Sequence, residues 1–174
     1  FYLVAYGLAT LAAFAIVAAQ HPAVRLTVAG GDTLDGHHRR LADRLGIADR
    51  VNFLGHVPHA ELAGVIRGAT LHVLTSLHDA GPVAVLEAAA CAVPTVGTDV
   101  GHVHDFAALP VPAAVVAGNV ATDRSPAALA SAILAARADG KIDAAELTAA
   151  GSEAGFTSGQ TAGDFRQLLT VEPT

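Results

Sequence analysis

With 174 residues, of which 52% are hydrophobic, the chain can bury one substantial core but not two full doubly wound domains, so a single domain over residues 1–174 is expected. The formal net charge of −6 argues against nucleic acid or an anionic membrane as a partner, because both attract basic surfaces. The only cysteine, Cys91, excludes an internal disulfide and favours a reducing, cytoplasmic setting.

The first segment, Phe1 to Gln20, contains no charged residue and is long enough to span a bilayer. Gly7 and Thr10 interrupt it, and no basic region precedes it. A buried strand followed by an Ala-rich helix is therefore favoured over a signal or transmembrane segment. The start without Met is typical of a chain that is part of a longer protein.

Short apolar runs then alternate with helical patterns of about ten to fifteen residues, which is typical of repeated βαβ units. Strands are predicted at Arg25–Ala29, Val51–Leu54, Leu71–Thr75, Thr95–Gly97 and Ala113–Val116. Helices are predicted at Leu8–Ala19, His37–Leu45, His59–Arg67, Pro82–Cys91 and His102–Ala108. The pattern predicts an α/β fold, with a doubly wound, Rossmann-like parallel sheet and helices on both faces.

After Gly118 the strand signals stop. Ser125 and Pro126 predict an N-cap and a proline at the first helical position of a helix over Ala127–Ala138. Two further C-terminal helices are predicted at Ala144–Ala150 and Gln160–Leu169.

The most informative stretch, Ser76 to Thr95, begins where a predicted buried strand ends. Gly81 permits a tight turn, and Pro82 sets the first helical turn without using a needed N–H group. The free N–H groups of such a helix start suit a phosphate. Glu87, over one turn into the helix, is placed to accept hydrogen bonds from ribose hydroxyls, and Asp79, before the helix, from sugar hydroxyls.

In this stretch Asp79 is followed by seven residues, then Glu87, an Ala-rich helix, Cys91 and Pro94. The order resembles the signature of the C-terminal, donor-binding domain of retaining GT-B glycosyltransferases, of the group 1 or family 4 type. The resemblance implies that Asp79 contacts the transferred sugar and Glu87 the ribose, which makes them the candidate catalytic residues. The family's usual first acid is Glu, one methylene longer than Asp. The resemblance also implies that the donor diphosphate is held by N–H groups of the turn formed by Gly81, Pro82 and Val83.

Further segments resemble the same family in the same order. The predicted strand that ends at Gly30 and Gly31 resembles the family's Gly-rich donor turn. The following strand and loop resemble its base-binding segment, which implies that backbone groups of His56 and Val57 contact the nucleobase. Together with the loop Thr98–Gly101, the agreement extends over roughly residues 8–170, and ordered agreement of this kind is more specific than a lone motif.

The activity that the resemblance implies is transfer of a hexose from an NDP-sugar to an acceptor with retention of configuration. The NDP-sugar is a substrate, and no separate cofactor is expected. The expected partner is the family's N-terminal acceptor domain, which this chain lacks, and membrane association is expected only through that part.

One family feature is missing, the cationic clamp on the diphosphate. The family usually brings an Arg and a Lys from the first strand and the following loop, but Phe1 to Gln20 contains neither, and the only lysine is Lys141. We therefore expect the chain by itself to be catalytically silent. The alternative is a non-catalytic or degenerate nucleotide-binding or nucleotide-sugar-binding module, and a purely structural domain would bind no nucleotide.

The same residues also have simpler interpretations. Asp79 and Glu87, taken alone, fit a helix-capping acid and an exposed helical acid. Gly30 and Gly31 fit an ordinary turn and lack the GxGxxG spacing of a nicotinamide-dinucleotide site. Cys91 has no evident activating partner, so a small buried side chain is expected there.

A metal site is not expected. His37 and His38, or His102 and His104, are the closest histidine spacings, but neither pair comes with further ligands at structural-zinc spacing. Residues 139–146 resemble only the second half of a calcium-binding EF-hand loop, which a helix-to-helix turn explains better.

Overall fold

A parallel β-sheet forms the centre of the protein. The structure, a computed structural model, describes residues 2–5, 8–31, 35–76, 78, 83–91, 93–100, 123 and 125–136. Within these residues the sheet has the order β3-β2-β1-β4-β5, and every neighbouring pair is parallel. Its strands are β1 Tyr2–Ala5, β2 Arg25–Ala29, β3 Val51–Gly55, β4 Leu71–Leu74 and β5 Thr95–Gly97. The predicted doubly wound α/β fold is confirmed.

Helices connect the strands. They are α1 Leu8–Gln20, α2 His37–Arg44, α3 His59–Arg67, α4 Val83–Ala90 and α5 Pro126–Ala136, with a 3-10 turn at Ala48–Arg50. The predicted bounds are confirmed for β2, β5 and α3. The other described ends fall within one residue of their predictions. The described part of α5 ends at Ala136, so its predicted end at Ala138 is not described. The predictions at Ala113–Val116, His102–Ala108, Ala144–Ala150 and Gln160–Leu169 lie outside the described residues.

The uncharged first segment folds as a strand and a helix, as interpreted from the sequence. Strand β1 takes the central position and pairs with both β2 and β4. Helix α1, with 13 residues, is about 20 Å long, well short of the roughly 30 Å of a bilayer core. In the part of the chain that the structure describes, no helix is long and apolar enough to cross a membrane.

Two apolar clusters pack on opposite faces of the sheet. Helices α1, α2 and α5 cover the first, where Phe14, Leu26 and Ile133 are fully buried. Helices α3 and α4 cover the second, which includes Ala29 and Ile66. Successive side chains of a strand point to opposite faces, so adjacent placement of Val28 against the first cluster and Ala29 in the second follows from strand geometry.

The start of α5 confirms the capping prediction. The Ser125 hydroxyl oxygen accepts a hydrogen bond from the Ala128 N–H at 3.1 Å, and Pro126 is the first helical residue. The Ser125 N–H in turn donates to the Asp123 carboxylate at 2.7 Å. Proline loses nothing at this position because its missing N–H would have no partner within the helix.

Close packing of β5 on β4 predicts a specific intolerance at Gly97. We expect Gly97→Ala to lower the free energy of unfolding by about 1 to 3 kcal/mol, because the added Cβ would overlap the Leu74 carbonyl oxygen. Urea unfolding followed by circular dichroism measures the change.

The matched control is Gly64→Ala in α3, where nothing lies within 4 Å of an added Cβ. Its higher helix propensity should leave stability unchanged or raise it by up to about 1 kcal/mol. Equal stability of Gly97→Ala and the wild type would contradict the packing of β5 on β4.

Candidate functional site

The carboxyl-terminal edge of the sheet brings the candidate segments together. All strands are parallel, so the loops after β2, β3, β4 and β5 leave at this one edge. The strand order reverses between β1 and β4, and open α/β sheets bind ligands in the crevice at such a switch point. Across it the hydroxyl oxygen of Thr10 in α1 lies 3.1 Å from that of Thr75 after β4, so the two elements are joined by a side-chain hydrogen bond.

The loops after β2 and β3 lie side by side. The Gly30 N–H donates to the Gly55 carbonyl oxygen at 2.8 Å, and both glycines have positive φ angles, 132° and 71°. Such angles favour glycine because a side chain would clash with its own backbone. Gly31 is exposed, with open space where a side chain would be. The predicted donor turn and the predicted base loop are therefore neighbours.

The base loop leads directly into α3. His56 is exposed, whereas Val57 is half-buried and packs against the apolar cluster beneath α3 and α4. Pro58 precedes the helix, and its carbonyl oxygen accepts from the Glu61 and Leu62 N–H groups. The loop is thus anchored at Val57 and Pro58, which fixes the backbone that the sequence assigns to the nucleobase.

Glu87 projects from α4 toward this same region. Its carboxylate oxygen Oε1 lies 3.5 Å from Nδ1 of His59, the first residue of α3. The Glu87 side chain is 12% exposed and that of His59 75%. A carboxylate at this depth has lost most of its water, which is costly unless hydrogen-bond donors replace it. Glu87 is therefore not the exposed helical acid of the simpler interpretation.

Burial raises the pKa of the Glu87 carboxyl group, and the neighbouring His59 opposes that shift. The groove between α3 and α4 in which the carboxyl group sits is otherwise mainly apolar, lined by His59, Leu62, Ala63, Ile66, Glu87 and Cys91. An acceptor in apolar surroundings interacts strongly with any hydrogen-bond donor that reaches it.

Cys91 borders this groove but carries no sign of activation. It lies in the turn after α4, which ends one residue earlier than predicted, and its sulfur is 3.8 Å from the Ala63 carbonyl oxygen. Burial raises the pKa of the thiol, and Arg67 only partly opposes this. A thiol held protonated is a poor nucleophile, in line with the packing role expected from the sequence.

The predicted diphosphate turn and the predicted sugar-binding acid are described only in part. Val83, at the start of α4, is 60% exposed. Asp79, Gly81 and Pro82 lie outside the described residues, and their assignment to the sugar and the diphosphate stays a prediction.

Sequence reasoning missed the hydroxyl groups that join the loops of this edge. Besides Thr10 and Thr75, the Thr98 hydroxyl donates to the Ser76 carbonyl oxygen, and the Thr98 N–H donates to the Leu74 carbonyl oxygen at 3.1 Å. These contacts fix the ends of β4 and β5 to each other. Only the order of the strands reveals them, because the partners are distant in sequence.

The buried histidine of this region has a structural role. His72 in β4 is 3% exposed, and its Nδ1 lies 2.9 Å from the Thr95 hydroxyl oxygen in β5. Burial lowers the pKa of His72 to about 4, so the ring is neutral at pH 7. Among the described residues, no three His, Cys, Asp or Glu side chains gather as a metal-binding group.

Comparisons with known proteins place these features in a family. The model of the family described as glycosyl transferases group 1 matches residues 9–153. A D-inositol 3-phosphate glycosyltransferase of Mycolicibacterium smegmatis is 36% identical over 130 residues, which cover 66% of this chain and 30% of that protein. The chain thus spans under a third of the length of this relative.

Solved structures share the fold at low identity. Sucrose-phosphate synthase from Thermosynechococcus elongatus superposes with a TM-score of 0.65 at 22% identity, covering 98% of this chain and 46% of that one. TarM of S. aureus superposes with a TM-score of 0.66 at 14% identity, covering 97% and 35%. At such identities the likeness concerns the fold, which is the GT-B type expected from the sequence.

The lowered pKa of His72 predicts an acid-dependent loss of stability. As pH falls, the unfolded chain takes up this proton near the ordinary value of about 6.5, but the folded chain only near 4. The stabilisation is therefore complete above about pH 6.5 and is lost as pH falls toward 4, by up to about 3 kcal/mol. His72→Asn, which retains a hydrogen-bonding group near Thr95 but does not titrate, should lose less over this window. Urea unfolding at several pH values measures it, and identical slopes for both proteins would contradict the neutral buried ring.

Proposed function

The chain belongs to the glycosyl transferases of group 1, and from this premise we propose that it is the donor-binding domain of an enzyme that transfers a hexose from an NDP-sugar with retention of configuration. The observation that carries the proposal is the position of Glu87. Its carboxylate is withdrawn from water, yet it lies against His59 at the end of the loop assigned to the nucleobase. A nucleoside would meet backbone groups for its base and this acid for its ribose.

The ribose is the part of the donor that suits Glu87. A carboxylate accepts hydrogen bonds through two oxygens, and the 2′ and 3′ hydroxyls of ribose are two adjacent donors. Hydrogen bonds to a charged acceptor are the strong ones, the more so where the surroundings of the acceptor are apolar. Binding of the ribose would thus replace the water that burial has removed from the carboxylate.

The diphosphate is assigned to the start of α4. Backbone N–H groups of the first turn of a helix have no partners within it and carry a partial positive charge. Val83, the first described residue of α4, is open to a ligand, and the preceding Gly81 and Pro82 complete the proposed turn. As the sugar leaves, negative charge grows on the diphosphate, and N–H groups fixed in advance stabilise it. Asp79 is assigned to hydroxyls of the transferred sugar.

Two described arginines, Arg50 and Arg25, form hydrogen bonds away from the crevice. Arg50 donates to the Ala18 carbonyl oxygen at 2.9 Å, and Arg25 donates to that of Val24 at 3.1 Å. Both contacts lie at the amino-terminal edge of the sheet, opposite the crevice. Arg39, in the first turn of α2, instead lies over the Phe53 ring of β3, 4.7 Å from its centroid. The stabilisation of the leaving diphosphate in this chain is assigned to the helix dipole of α4, which contributes about 0.3 to 2 kcal/mol.

Nucleotide binding tests the ribose assignment. We expect the purified chain to bind at least one of UDP, GDP and ADP in isothermal titration calorimetry. Glu87→Ala should weaken that binding by about 10- to 100-fold, because a hydrogen bond to a charged group is worth about 1.5 to 3 kcal/mol.

The matched control is Glu61→Ala, which removes an exposed acid from the first turn of α3 and should leave the affinity within about two-fold, as exposed charges contribute little. Binding that survives in Glu87→Ala at the wild-type strength would refute the ribose assignment. Failure of the wild type to bind any of the three nucleotides would refute the proposed function.

Sugar transfer tests the assignment of the activity. We expect the 174-residue chain, incubated with UDP-hexose or GDP-hexose and a panel of polyol and sugar acceptors, to form no glycoside above the protein-free rate, because one helix terminus is too weak to replace an Arg and a Lys on the diphosphate. Chromatography of radiolabelled product measures it. Product that rises with protein concentration and disappears in Glu87→Ala would show the chain to be active on its own.

A further inference from the structure

The contact between α3 and α4 places a histidine on the proposed ribose acid. His59 Nδ1 and Glu87 Oε1 are 3.5 Å apart, and this ion pair joins the two helices. His59 directly follows the anchored end of the base loop at Pro58. One side chain therefore connects the segment assigned to the nucleobase with the acid assigned to the ribose.

The position of His59 is unfavourable for a cation on its own helix. A positive charge in the first turn of a helix opposes the macrodipole, and the N-cap of α3, Pro58, has no side chain that could compensate. Glu61 in the same turn is exposed and partly offsets this, while the carboxylate of Glu87 lies at contact distance. The favourable interaction of the imidazole is therefore with the Glu87 carboxylate and not with the start of its own helix α3.

We propose that His59 is a positioning residue for Glu87: it holds one carboxylate oxygen and keeps the carboxylate charged and oriented toward the ribose hydroxyls. The inference rests on the proposed function, since it assigns Glu87 to the ribose. The imidazole lies beside Oε1 at 3.5 Å, so Oε2 remains for the ligand. The contribution of His59 to ligand binding is largest when its imidazole is protonated, because an imidazolium attracts the Glu87 carboxylate.

Other ionisable groups around Glu87 come from each element packed on α4. Helix α3 also carries Arg67, which lowers the pKa of the Cys91 thiol in the turn after α4, whereas Glu87 raises the pKa of this thiol. Strand β4 contributes His72, whose Nδ1 is paired with the Thr95 hydroxyl of β5. Of these groups, His59 contacts the Glu87 carboxylate and lowers the pKa of that carboxyl group.

A double-mutant cycle tests the inference on the full 174-residue chain. Titration calorimetry with UDP, GDP and ADP compares the wild type, His59→Ala, Glu87→Ala and the double variant at about pH 5.5 and about pH 8. Variants are compared at the same pH, because the nucleotide itself titrates. We expect His59→Ala to weaken binding about two- to five-fold at the lower pH and less at the higher one, the range of partly exposed ion pairs. In the Glu87→Ala background the same change should have no effect.

Two further variants separate positioning from a structural role. His59→Asn keeps a neutral hydrogen-bonding group, so it should match the wild type at about pH 8 and bind with an affinity between those of the wild type and His59→Ala at about pH 5.5. His21→Ala, which removes a histidine between α1 and β2 at the opposite edge, should match the wild type at both.

An equal loss from His59→Ala with and without Glu87, no loss at either pH, or tighter binding would overturn the inference while Glu87→Ala still tests the ribose assignment. A wild type that binds none of the nucleotides would overturn the proposed function and this inference with it.

Discussion

The parallel pairing of β1 with both β2 and β4 is the constraint from which the rest of the structure follows. Leu3 is in register with Leu26 on one side and with Leu71 on the other, so β1 forms the centre from which the sheet grows in both directions. Each parallel neighbour requires a crossover helix, which places α1 and α2 on one face and α3 and α4 on the other. The loops that leave the strands consequently meet at one edge.

That edge is stiffened by side-chain hydrogen bonds between its loops. One such hydrogen bond joins Thr10 and Thr75, and another joins Thr98 and Ser76. Both lie beyond the strand ends, where the sheet no longer holds the chain segments together. Each buried hydroxyl thereby gains the partner that burial demands. Loops held in this way are already ordered, so a ligand that bound to them would cost less conformational entropy.

Local patterns predicted most of the fold, and contacts between distant segments account for what they missed. The bounds of β2 and α3 and the Ser125 cap depend on neighbouring residues, so the sequence determines them directly. Strand β1 was recognised only as part of the uncharged segment, because it is central in the sheet and no polar alternation separates it from α1. The pairing of Glu87 with His59 depends on how α3 packs against α4, which no spacing within either helix reveals.

An acidic chain for which an anionic donor is proposed poses an electrostatic question. The net charge of −6 acts over distance, but salt screens it beyond about 8 Å at physiological ionic strength. The Glu87 side chain is only 12% exposed and lies beside His59, whereas Val83 at the start of α4 is exposed. The proposed assignment agrees with this difference, because it gives the sheltered acid to hydroxyl donors and the exposed helix start to phosphates.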